Sequence, residues 1–564
     1  MRPKLYDRQL RLWQESGQAA LECARICVFG SSALASEALK NLVLPGGMNH
    51  QRNSKHQMYH VYHVLTALLP KLGIGAFVVV DDGVVSEQDM ATNFFVGPDD
   101  GGKLRAQCIV QGLCELNPDV SGSAVTRSPA ELLASIDPAD VQLVPSATLV
   151  IACAQPDSVV CDLSRRCWLA RVPFIAADSA GFFARLRTSI PEHAVVESHV
   201  EMPFDLRLVA PFPALRSFID EIDLDALDST DLGHVPFLVI LTKALEKWSL
   251  DTGTVVGPGG LPLAKRKLLQ RQIMSMAPTP DEENFTEASN NAQQYCVPYK
   301  FPPAIAQILD DQAAVAPVDD HTKADKFWLL VRALKAYVQS DHAKGALPLD
   351  GTIPDMKADT KRYIALQRVY KQKAAQDIAE FAGHVSQVLA AASLPPDYIS
   401  SDEVAAFCRN ASRLRLLRFT PLHDELEGAP CSPGNLVAAE AVGHYVLFRA
   451  SNRFETKHGR YPGVQPETGL AELPDADFVK KDAEELTGIA NTMLSEWGMA
   501  DAKVDDELAM EFARSGHCEL HNIAAIAGGI IAQEAIKLAT RQYVPENSLC
   551  IVDGVKARNF VAKI

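Results

Sequence analysis

No two of the twelve cysteines in this chain of 564 residues stand in a C-x-x-C pair. The close pairs, Cys23/Cys27, Cys108/Cys114 and Cys161/Cys167, do not have the spacing of a structural zinc site. Twelve is ordinary usage at this length, which excludes a disulfide framework and leaves most of them as small buried hydrophobes. Positive charge is also short: 54 Lys and Arg against 70 Asp and Glu give a net charge of -16. Nucleic-acid affinity rests on clustered Lys and Arg, so no nucleic-acid partner is expected. No apolar run approaches membrane-spanning length and no leader-like segment precedes Tyr6, so the expectation is a soluble chain, cytoplasmic and nuclear, with no membrane partner. Extended repeats and low-complexity tails are missing too. What remains is a globular composition, 47% apolar and 22% charged, with room for roughly four domain equivalents.

Glycine is scarce where it would matter most. Arg25 to Gly30 reads as a buried strand, and Ser31 to Leu44 follows as a helix with Leu34/Ala35, Ala38/Leu39 and Leu42/Val43 on one stripe. A strand entering a helix through a small-residue turn opens a nucleotide-binding βαβ unit. Such a turn wants G-x-G-x-x-G, so that backbone N–H groups can approach phosphates. Here Gly30 stands alone, with Ser32 and Ala35 at the other two places. The pattern fits the fold and argues against the ligand.

The segment Tyr6-Asp-Arg-Gln-Leu-Arg-Leu-Trp13, with Lys40-Asn-Leu-Val-Leu-Pro-Gly46, resembles the ubiquitin-like-protein activating enzymes. Gly351-Thr-Ile-Pro-Asp-Met356, Tyr363 to Lys371, Asp281 to Phe285 and Gly459-Arg-Tyr-Pro-Gly463 are similar to the noncatalytic, regulatory subunits of that family's neddylation branch. The resemblance implies a degenerate Rossmann-like adenylation fold of the ThiF/MoeB type, interrupted by a large, mainly helical insertion. Its expected parts are an N-terminal portion at 1–172, the helical domain at 173–485 without a catalytic cysteine, and a returning portion at 486–564.

Active members of the family carry D-x-D-x-x-x-x-S-N-x-N-R-Q after the second strand, where the acids serve ribose and magnesium and the rest hold phosphates. Aligned on Asp81, this chain has Gly83 at the second acid, Asp89 and Ala91 at the asparagines, and Thr92 at the arginine. Arg105 matches the family's lysine, and Gln155 stands where an aspartate follows the strand Ala147 to Cys153, with Asp157 close by. The resemblance therefore implies no cofactor and no metal in this chain, with ATP and Mg2+ in a catalytic partner subunit. It also implies that the complex engages a Nedd-type modifier and a conjugating enzyme. Arg8 matches an arginine that reaches into the partner's ATP site. Pro211, Phe212, Phe327, Trp328, Arg332 and Lys335 are candidate partner-facing residues, with burial in the chain's own core as the other reading. Cys296, Cys408 and Cys431 lack a nucleophile's surroundings and read as structural. Two other functions remain open on the residues: a self-sufficient adenylating or dinucleotide-binding enzyme, and a scaffold.

One stretch does not fit. Between Gly46 and the second strand lies an insert of 26 residues, 47–72, holding four of the fifteen histidines. His56, His60 and His63 would share a helix face suited to a metal. Removing the insert restores the family pattern, and its ends are codable as splice signals, so an unspliced short intron is expected. A tryptic peptide from His56 to Lys71 in purified protein would overturn that expectation.

Overall fold

A computed structural model describes residues 7–44, 74–253, 260–297, 299–317, 325–428, 439–465, 475–547 and 549–562, with the side chains of 7–10, 439 and 440 outside the description. The insert, the histidines within it, Cys431 and the Arg8 side chain therefore lie outside the described residues.

The chain divides into two units, one formed by 1–193 with 417–564 and the other by 194–416. The first is built on an eight-stranded sheet of β1 (Arg25–Phe29), β2 (Ala76–Val80), β3 (Ser121–Val125), β4 (Leu149–Cys153), β5 (Phe174–Ala180), β6 (Phe183–Ser189), β9 (Leu549–Asp553) and β10 (Arg558–Ala562). The short strands β7 (His193–Val195) and β8 (Arg415–Leu417) form a separate ribbon. The large sheet runs 10-9-6-5-4-1-2-3, parallel from β5 through β3 and antiparallel from β5 through β10. The strand order reverses between β1 and β4, which opens a crevice at their carboxyl ends.

Strands buried on both faces need two apolar layers. Ile26, Val28, Phe77, Val79 and Ile151 face the helices Ala33–Val43 and His521–Thr540, while Phe29, Val80, Val150 and Phe174 face Leu132, Leu133 and Leu163. Full burial of each such side chain stabilises by roughly 1.5–3 kcal/mol. Helix Ala33–Val43 is buried along nine of its residues, because helix His521–Thr540 lies across it. A Cβ on Gly528 would come within 2.7 Å of the Glu37 Cβ, whereas one on Gly529 would meet nothing within 4 Å. By length and apolarity helix His521–Thr540 would suffice to cross a membrane, contrary to the expectation of no such run; 56% of its apolar window is buried in this packing.

The helical unit differs from its expected bounds. Strands β5 and β6 belong to the sheet, and helices Ala439–His458 and Ala476–Glu496 belong to the first unit, where Phe448, Met493 and Trp497 pack with Phe183, Leu549 and Ile551. Within 194–416 the helix Thr360–Ala391, 32 residues long, joins two cores. Leu366 and Tyr370 pack with Phe237 and Phe285, and further along it Phe381 and Val385 pack with Trp328, Tyr337 and Phe407.

The described residues on either side of the insert meet. The Ile74 N–H donates to the Leu42 carbonyl at 3.4 Å, and Gly75 N–H to Leu21 O at 3.1 Å.

Candidate functional site

The crevice at the carboxyl ends of β1, β2 and β4 is where a doubly wound sheet takes its ligand. Gly30 turns the chain there with φ +97°, and its N–H donates to the Val80 carbonyl at 2.9 Å. A Cβ at this position would sit 2.3 Å from Cys153 O and 2.7 Å from Gln155 Nε2, so only glycine fits. Ser32 caps the helix, its Oγ accepting from Ala35 N–H at 3.4 Å. Ala35, at the third glycine place, is buried in the core behind the turn.

The N-terminus of this helix is already engaged by an anion. The Glu519 carboxylate accepts from Ala33 N–H at 2.6 Å and Leu34 N–H at 3.4 Å, and from the Ser179 hydroxyl at 3.2 Å. Unsatisfied N–H groups and the helix dipole favour negative charge at this position. Desolvation pushes the Glu519 carboxyl up, against the lowering contributed by Ser32, Ala33, Leu34 and Ser179. Glu519 is held in place by the chain beside it: Cys518 O accepts from Gly181 N–H at 2.7 Å.

Two acids that follow the second strand are engaged by a cation. Arg105, on the first turn of helix Arg105–Leu116, donates from Nη2 to Asp81 Oδ2 at 3.0 Å and from Nη1 to Asp89 Oδ1 at 2.9 Å. Its Nε donates to Ser31 Oγ at 2.8 Å, and the Ser31 hydroxyl in turn donates to Asp81. Partial burial pulls the Arg105 guanidinium down, but Asp81 and Asp89 overcome it and hold the group above the usual arginine value. Asp89 serves a second purpose as the capping-box acid of helix Glu87–Thr92, accepting from Ser86 N–H at 2.9 Å and Ser86 Oγ at 2.7 Å. A Cβ on Gly83 would lie 2.8 Å from Arg105 Nη2 and 3.1 Å from Asp81 Oδ2. An acid there has no room while Arg105 stays. Among the described residues no group of three or more His, Cys, Asp and Glu is disposed to hold a metal ion.

The remaining positions are turned to local work. The Thr92 hydroxyl donates to Gln88 O at 3.0 Å, and the Thr92 carbonyl lies 3.1 Å from His521 Nδ1. Gln155 Nε2 donates to Cys153 O at 3.2 Å, folding its amide over Gly30. Asp157 is engaged by helix Ala439–His458, accepting from Asn452 Nδ2 at 2.7 Å and pairing with Arg449 at 3.3 Å. Gly30, Ser32, Asp81, Gly83, Asp89 and Gln155 are thus brought to one crevice, with Ala35 behind it and Thr92 at its side.

The partner-facing candidates of the helical unit are placed differently. Phe327 is 3% exposed, Trp328 1% and Phe212 8%. They are core residues, Phe212 standing edge-on to Tyr370 at 5.5 Å. Arg332 and Lys335 donate to the carbonyls of Ala313 and Leu309 at 2.7 and 2.8 Å, and Pro211 is half-buried. Cys296 and Cys408 are buried, and desolvation pushes both thiols up to about 12, which removes the thiolate a nucleophile needs. Glu519 escaped the sequence reading. Its donors lie 486 and 485 residues away in the chain, and no local pattern marks it.

Sheet order, the turn after β1 and the acid-bearing end of β2 define an adenylation-type α/β fold, and the ThiF family model matches residues 63–563. The chain is 34% identical to the NEDD8-activating enzyme E1 regulatory subunit of Xenopus laevis, with 98% of this chain and 96% of the relative covered. It is 35% identical to the subunit of the same name from Gallus gallus, covering 98% and 97%, and 32% identical to that of Drosophila melanogaster, covering 100% and 97%. The chain belongs to the ThiF family and, within it, to the NEDD8-activating enzyme E1 regulatory subunits.

Proposed function

We propose that this chain is the noncatalytic half of a heterodimeric activating enzyme for a Nedd-type modifier. The observation that supports the reading is the occupied turn: a carboxylate of the chain itself stands at the helix N-terminus, where a phosphate would have to enter. ATP and Mg2+ then belong to the catalytic partner. There the modifier's C-terminal carboxylate attacks the α-phosphate of ATP, pyrophosphate leaves, and the partner's cysteine thiolate displaces AMP to form the thioester passed to a conjugating enzyme. The chain's own part is to complete the partner's site and support its chemistry, in the cytoplasm and nucleus.

Copurification followed by ATP–pyrophosphate exchange tests this. The expected result is no exchange by the chain alone and modifier-dependent exchange once the catalytic subunit is added; exchange by the single chain would overturn it. Arg8 is assigned the contact with the partner's ATP, because a guanidinium suits bidentate phosphate binding. Arg8→Ala is expected to leave the heterodimer assembled and to slow single-turnover adenylation about tenfold or more, a loss of roughly 1.4 kcal/mol of transition-state stabilisation. An unchanged rate removes Arg8 from that role.

A further inference from the structure

We propose that Glu519 acts as a built-in ligand of the glycine turn, holding with its own carboxylate an anion site that would otherwise accept a phosphate group. The inference rests on the reading that this chain carries no nucleotide, and adds why. Loss of glycines and acids alone would leave an empty crevice with unsatisfied backbone donors, which is costly in a partly buried place. Instead the donors are satisfied. Ala33 N–H at 2.6 Å, Leu34 N–H at 3.4 Å and the Ser179 hydroxyl at 3.2 Å converge on the two oxygens of one side chain. These groups come from the turn after β1 and the end of β5, two elements that flank the crevice, while Glu519 arrives from the far end of the chain.

The placement is also fixed from behind. Gly181 N–H donates to Cys518 O at 2.7 Å, and residue 181 pairs with residue 519 in a parallel bridge. Leu520 then caps helix His521–Thr540, which packs on the helix whose N-terminus Glu519 occupies. The backbone that carries the carboxylate is therefore held on both sides. Arg105 gives the arrangement its counterpart: a fixed cation between Asp81 and Asp89, as Glu519 is a fixed anion at the turn. An incoming phosphate would have to displace a group of its own sign from donors already in use.

The test uses the full-length chain, with inorganic phosphate and pyrophosphate as probes in equilibrium dialysis and thermal unfolding. Glu519→Ala opens the site, and Glu519→Gln keeps it filled without charge. Glu519→Ala is expected to bind phosphate at least tenfold more tightly than wild type. Its unfolding midpoint should rise by about 2 °C or more at saturating phosphate relative to matched chloride. Wild type and Glu519→Gln should show no gain in affinity and only the smaller midpoint rise that phosphate gives any folded chain. If Glu519→Ala is poorly folded in chloride, recovery of its folded fraction in phosphate beyond that of Glu519→Gln is the same result read another way. A Glu519→Ala chain that gains no more from phosphate than Glu519→Gln does, in affinity, midpoint or folded fraction, overturns the proposal. ATP binding by wild type would instead sink the reading of a nucleotide-free subunit, so the two failures are distinct.

Discussion

Arg105 concentrates in one side chain the electrostatics of the whole crevice. Its guanidinium is shared between Asp81 and Asp89, whose side chains are only 9% and 12% exposed. Arg105→Ala would leave two partly buried carboxylates without a cation, and breaking such a pair from one side costs about 3 kcal/mol. That loss should appear as a lower midpoint in urea unfolding, and Arg105→Lys, a point charge unable to fork, should recover only part of it. His193 gives the same unit a pH dependence. Burial, with Arg541 adding to it, pushes its imidazole from 6.5 down to about 3. The unfolded chain therefore binds a proton the folded one refuses. Stability from this group is complete above pH 6.5 and falls as pH drops from 6.5 toward 3, at about 1.4 kcal/mol per pH unit. Denaturation midpoints at pH 7 and pH 5 check this, and His193→Gln should flatten the difference. At this scale Gly30, Gly83 and Gln155 were readable, because a missing group at a known place is visible in one dimension. Glu519 was not, since its partners meet it only once the chain has closed on itself.

Helices Ala33–Val43 and His521–Thr540 show how one atom sets the approach of two elements. Gly528→Ala places a Cβ 2.7 Å from Glu37 Cβ and should cost about 1–3 kcal/mol through overpacking. Gly529→Ala meets nothing within 4 Å and should gain up to about 1 kcal/mol from helix propensity. Thermal unfolding of the two variants side by side distinguishes adjacent glycines that the sequence could only treat as a pair. The elements on either side of the 47–72 insert also approach closely. The insert's flanks already hydrogen-bond at Leu42 and Ile74, and loop-closure cost grows only slowly with length. Deleting 47–72 is therefore expected to move the unfolding midpoint of the chain by no more than about 2 °C, and a large drop would show that the insert contributes packing. Helix positions were legible from apolar stripes, but the direction of a stripe was not. Phe327 and Trp328 read equally as surface anchors or core, and two-sided packing against Phe407 and Phe381 settles them as core.

For the molecule as a whole, the resemblance implied an interrupted adenylation fold with the helical domain at 173–485, whereas the compact unit that interrupts it is 194–416. The helical character of 439–458 and 476–496 hid their allegiance, which is decided by what their apolar faces cover: Phe183, Leu549 and Ile551 on β6 and β9. β9 is buried at all five positions and lies between β6 and β10. Ending the chain at Tyr543 should therefore cost the first unit its cooperative fold, seen as loss of a sharp thermal transition and as early elution in size exclusion. The pairing of β6 with β9 also has a consequence during synthesis. β6 leaves the ribosome about 360 residues ahead of the strand that covers its edge. At roughly 5–20 residues per second the nascent polypeptide carries an unfinished sheet for on the order of 20 to 70 seconds, long enough for chaperone capture to become a regular stage of its biogenesis.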